Sequence, residues 1–74
     1  MPKLPVISGR QARRAFEKAG WTFSRQRGSH MVLVRAGVPV NLTIPDHREL
    51  DRGLLRGLIR DARLTVEEFV ALVD

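Results

Sequence analysis

The residue types able to do proton or phosphate chemistry gather in one short stretch, Arg25-Gln26-Arg27-Gly28-Ser29-His30. Its histidine opens an apolar run, Met31-Val32-Leu33-Val34. An imidazole titrates near pH ~6.5 when unperturbed, so it exchanges protons at neutral pH. A cationic neighbour favours the neutral form that a general base needs. Such a base could take the proton from a ribose 2′-hydroxyl, and the oxygen would then attack the adjacent phosphate. Guanidinium forks match phosphate geometry and stabilise the charge that develops on it. A lone histidine in a strand is more often structural than catalytic. His30 differs in following a Gly-Ser turn at the rim of a sheet, with Arg25 expected directly across from it and Arg27 on the turn. The amides of Gly28 and Ser29 add further candidate phosphate contacts.

His47 is the other histidine. It is expected to be accessory at most, because it trails the residue opposite His30 by three positions, roughly 10 Å at strand rise. Two histidines with no cysteine and no clustered carboxylates make a poor metal site. The acids sit mainly at helix starts, where caps and the helix dipole account for them. The reading therefore calls for no metal and no cofactor.

To hold this stretch, the chain has 74 residues, enough for one domain with one small core. There are 13 Lys+Arg against 8 Asp+Glu, a net +5, and 11 of the basic residues are arginine. That surplus attracts polyanions, although it would also serve to solubilise a small domain. No apolar run approaches a membrane span, and residues 1–7 are too short for a secretory h-region. A cytoplasmic protein with no membrane partner is the expectation.

Residues 1–7, with two prolines, read as an extended lead-in. Ser8-Gly9-Arg10-Gln11 is a capping box that opens a helix whose apolar face is Ala12, Ala15, Phe16 and Ala19. Gly20 suits the left-handed position that ends it. Trp21 to Gln26 alternates as a strand. A two-residue turn at Arg27-Gly28 pairs Arg25 with His30, Phe23 with Val32 and Trp21 with Val34. A loop near residues 36–38 pairs Val34 with Val40, Val32 with Leu42 and His30 with Ile44. This register buries Trp21, Phe23, Val32, Val34, Val40, Leu42 and Ile44, and leaves Met31 and Leu33 on the other face. Asp51 caps a second helix with the buried stripe Leu54, Leu55, Leu58, Ile59 and Ala62. Gly57 is expected to permit close packing on the sheet. Arg52, Arg56, Arg60 and Arg63 form a basic stripe that could track phosphates or dock an acidic partner. Thr65-Val66-Glu67-Glu68 caps a short last helix. Helix, three antiparallel strands, helix and short helix make an α+β two-layer sandwich.

Gly20-Trp21, then Arg25 to His30, resembles the corresponding segment of the HicA toxins of bacterial and archaeal toxin–antitoxin systems. Ile44-Pro45-Asp46-His47, Gly53-Leu54-Leu55-Arg56-Gly57-Leu58-Ile59-Arg60 and Val66-Glu67-Glu68-Phe69 resemble it too, so the likeness runs from about Ser8 to Phe69. It implies a single HicA-like domain over residues 1–74, folded like a double-stranded RNA-binding domain. It also implies a metal-independent endoribonuclease that cuts mRNA, blocks translation and is neutralised by a HicB-like antitoxin, through which oligomers could form. The catalytic histidine of the family maps onto His30. Many members carry a second histidine where this chain has Met31, and a glycine where it has Arg63. The site thus expected is His30 as base, with Arg25, Arg27, Gly28, Ser29, Arg52, Arg56 and Arg60 on RNA. The alternative is a non-catalytic RNA-binding or protein-interaction module on the same scaffold.

Overall fold

The computed structural model describes residues 3–74, so Met1 and Pro2 of the expected lead-in lie outside the described residues. The order is α1 (Gly9–Lys18), β1 (Thr22–Arg27), β2 (His30–Val34), β3 (Leu42–Pro45), α2 (Arg52–Asp61) and α3 (Val66–Leu72). The strands form one antiparallel sheet in the order β1-β2-β3. The helices cover one face of it, which makes the α+β two-layer sandwich and agrees with the expected architecture.

Local chemistry sets the helix starts. Ser8 Oγ accepts from the Gln11 amide at 3.1 Å, and the Gln11 side chain accepts from the Ser8 amide at 2.9 Å. Thr65 and Glu68 repeat that exchange at α3. Asp51 caps α2 through the Leu54 amide. The ends of α1 and α2 share one motif. Beyond α1, Trp21 N–H donates to Phe16 O and Gly20 N–H to Glu17 O. Beyond α2, Leu64 N–H donates to Ile59 O and Arg63 N–H to Arg60 O. Each is a Schellman termination with a left-handed residue after the cap. That residue is Gly20 at φ +102° in the first and Arg63 at φ +63° in the second. Arg35 adds a donor at the end of α1, placing its guanidinium on the Ala19 carbonyl at 2.6 Å. Arg63 thus takes after α2 the left-handed place that Gly20 takes after α1.

The sheet register differs from the expected one. Arg27 pairs with His30, Gln26 with Met31 and Arg25 with Val32; Met31 pairs with Ile44 and Leu33 with Leu42. The turn is Gly28-Ser29, not Arg27-Gly28. Gly28 has φ +60° and Ser29 does not enter the positive region, as a II′ turn with glycine first requires. That change of turn moves the β1–β2 pairing by two residues and keeps its faces, whereas Val32 lies opposite Thr43 instead of Leu42, a one-residue slip between β2 and β3 that exchanges the faces of β2. Met31, Leu33, Leu42 and Ile44 point into the core, each nearly inaccessible to solvent. Val40 is exposed, and Val32 lies outside the main core cluster. A bulge between Phe23 and Arg25 then lets Phe23 turn inward while Arg25 and Arg27 stay outward. Phe16 stacks against Phe69 in the core, with ring centroids 4.9 Å apart. Leu4 and Ile7 of the lead-in join that core.

Two expectations for α2 also change. Leu55, Leu58, Ile59 and Ala62 are buried, but Leu54 is 37% exposed. Gly57 has no close neighbour: a Cβ there would meet nothing nearer than the Arg60 guanidinium, at 3.9 Å. Packing on the sheet does not require a glycine at that position.

Candidate active site

Directly paired residues of antiparallel strands share a face. The observed register therefore puts Arg27 and His30 side by side on the outer face of the sheet, with Arg25, Val32 and Thr43 in the next row. With Asn41 these residues line one open depression of ≈ 380 Å³. His30, Arg25 and Arg27 are exposed, while Val32 forms an almost covered floor. The expected neighbour of His30 was Arg25. The structure gives Arg27 that place and sets Arg25 one pair further along. Val32, Asn41 and Thr43 are not expected here, because pairing Val32 with Leu42 places Val32 in the core; Val32 instead lies opposite Thr43.

The corner that carries His30 is tied down from several sides. Gln26 Nε2 donates to Gly28 O across the turn at 3.0 Å. Asp46 N–H donates to Ser29 O, which extends the β2–β3 ladder past its last pair. Asp46 in turn receives a bidentate pair from Arg10, at 3.1 and 3.2 Å, anchoring the end of β3 to the first turn of α1. The hydrogen bond from Arg10 is the main reason the Asp46 carboxyl is held below the ordinary carboxylate range. Gly9 fits beneath this corner because it has no side chain: a Cβ there would fall 1.9 Å from the Pro45 carbonyl oxygen.

His47 takes part through its main chain, its carbonyl accepting from Gly9 N–H at 2.9 Å. Its side chain is exposed and does not line the depression with His30. Gly28 and Ser29 sit exposed at the turn beside the depression, and neither lines it. Arg52, Arg56 and Arg60 are exposed along α2 and are also absent from its lining. Met31, next to His30, faces the core and is 1% exposed. A side chain at position 31 therefore cannot share the depression with His30 in this register.

Charge is sorted between the two sides of the molecule. On α1, Arg10 pairs with Asp46, Arg13 with Glu17 at 3.6 Å, and Arg14 and Lys18 with Asp74. Arg13 also lies over the Phe23 ring, 3.9 Å from its centroid. Among the described residues, Arg25 and Arg27 have no carboxylate within 4 Å. The open face is thus an anion-attracting surface with an imidazole in its middle. Among the described residues, no group of three His, Cys, Asp or Glu could hold a metal ion. No helix among them is long and apolar enough to cross a membrane.

Fold and site together define a small α+β protein that presents a histidine and unpaired arginines on an uncovered antiparallel sheet. A family model described as the HicA toxin of bacterial toxin–antitoxin systems matches residues 9–64, from the first turn of α1 to the termination of α2. The chain belongs to the HicA toxin family and is the toxin component of such a system. Comparison with curated proteins gave no match.

Proposed function

We propose that this toxin is a metal-independent endoribonuclease that cleaves mRNA in the cytoplasm and so inhibits translation, with a HicB-like antitoxin as its partner. His30 acts as the general base. It removes the 2′-hydroxyl proton, the oxygen forms a bond to the adjacent phosphorus, and the bond to the 5′-oxygen breaks. The leaving oxygen takes a proton from solvent, giving a 2′,3′-cyclic phosphate and a 5′-hydroxyl end. Arg27 and Arg25 hold the phosphate and stabilise its developing charge. Ser29 and the turn amides position the strand at the rim, and Arg52, Arg56 and Arg60 add backbone contacts further along it. His47 serves the site by fixing the Pro45-Asp46 corner through its carbonyl.

The observation that carries this reading is the convergence of Arg25, Arg27 and His30 on one solvent-open depression. The arginines of α1, by contrast, are engaged by carboxylates. The test incubates labelled RNA with wild-type protein and with His30→Ala, each checked for native circular dichroism. Cleavage should vanish in the variant and persist for the wild type in excess EDTA. A 2′-deoxy substitution at the cut position should block it. Undiminished cleavage by His30→Ala would falsify the assignment of the base.

A further inference from the structure

A second groove, of ≈ 380 Å³, runs between β3 and α2 and is lined by Asn41, Thr43, Gly53, Leu54, Gly57 and Asp61 among others. Asn41 and Thr43 also line the depression around His30, so the two form one continuous surface with these side chains as the sill between them. The volume lies within the ordinary range for small-molecule sites. Its composition fits a nucleobase: an apolar wall from partly exposed Leu54, and an amide, a hydroxyl and a carboxylate around it. The lack of a side chain at Gly57 keeps the groove open, and nothing inside the protein requires that lack.

We propose that this groove is a base-recognition subsite, holding the base of a nucleotide next to the scissile phosphate and setting the sequence preference of the cut. The proposal rests on the nuclease reading above. A strand whose phosphate lies between Arg25, Arg27 and His30 reaches the groove by crossing Asn41 and Thr43. Asn41 both donates and accepts hydrogen bonds, so it can pair with a base edge. Asp61 accepts only. It therefore favours a base bearing an exocyclic amino group, and disfavours uracil, whose two carbonyl oxygens flank its single N–H. A protein segment in the same groove would not need continuity with the His30 depression, which is why RNA is the favoured occupant.

The experiment digests a randomised RNA pool with wild type, Gly57→Leu, Asn41→Ala and Asp61→Asn, and sequences the fragment ends. Gly57→Leu fills the groove without meeting a protein neighbour closer than 3.9 Å at its Cβ. It should melt no earlier than wild type, because leucine is the better helix former. The wild type should disfavour uracil at one position beside the cut. Gly57→Leu and Asn41→Ala should flatten that preference by roughly tenfold, as expected for losing one good base contact. Asp61→Asn should specifically admit uracil. Unchanged preferences in variants that still cut would overturn the subsite and leave the nuclease intact. So would a Gly57→Leu protein that keeps its preference but escapes its antitoxin, since the groove would then belong to the protein partner. A wild type that binds the pool without cutting it would overturn the nuclease reading and the subsite with it.

Discussion

Arg63 is the residue whose replacement should most clearly raise stability. It occupies the left-handed region at φ +63°, at the position after the α2 cap where Gly20 sits after the α1 cap. A side chain there costs about 1–2 kcal/mol. Glycine removes that cost but loses more freedom on folding, an offset of roughly 0.4–1 kcal/mol. Arg63→Gly should therefore gain about 0.5–1 kcal/mol. For a domain of this size that raises Tm by about 2–8 °C. Thermal unfolding followed by circular dichroism measures it, with Arg63→Ala as the control, since alanine keeps the backbone penalty and removes only the charge. The reciprocal change, Gly20→Ala, should destabilise, because its Cβ would also press on the Arg35 guanidinium at 3.1 Å. Equal gains from Arg63→Gly and Arg63→Ala would refute the backbone argument and point to charge relief. No gain from Arg63→Gly would show that the turn carries no strain.

Two further outcomes follow from the charges. Single-stranded RNA binding should weaken with salt, and Arg27→Gln should reduce the slope of log affinity against log salt by about 0.7, the share of one phosphate contact; filter binding across a salt series checks this, and an unchanged slope would remove Arg27 from the phosphate path. Asp46 and Asp74 titrate below their ordinary values because Arg10 and Lys18, respectively, hydrogen-bond to them. A depressed carboxyl contributes stability that is complete above its unfolded pKa and is lost as pH falls through the folded one. Stability should therefore decline below about pH 4, and Asp46→Asn should make that decline shallower in denaturant titrations at stepped pH.

Helix placement was legible in the sequence because the deciding interactions are local. Ser8 with Gln11, and Thr65 with Glu68, lie three residues apart, so the capping boxes are readable without any tertiary contact. The sheet faces were not legible in the same way. Met31-Val32-Leu33-Val34 is apolar throughout, so alternation cannot say which pair faces the core. The offset between β2 and β3 decides. Val32 opposite Leu42 gives one answer, and Val32 opposite Thr43, with Met31 opposite Ile44, gives the other. The bulge after Phe23 hid the register on the neighbouring strand, since strict alternation would send Phe23 outward along with Arg25 and Arg27.

The β2–β3 offset is why the sequence marks His30 but not its surroundings. His30 and Arg27 flank the turn under the correct reading and stand beside it under the wrong one, so their proximity survives the error. Val32, Thr43 and Asn41 owe their places to the register alone. The position after His30 makes the difference concrete. With Val32 opposite Leu42 and His30 opposite Ile44, Met31 would share the outer face and leave His30 on the buried one. With Met31 opposite Ile44 and Leu33 opposite Leu42, Met31 closes the core and His30 meets solvent. One residue of offset between β2 and β3 therefore determines that the imidazole, rather than the thioether, meets solvent, while the hairpin pairing keeps Arg25 and Arg27 on the same side as His30.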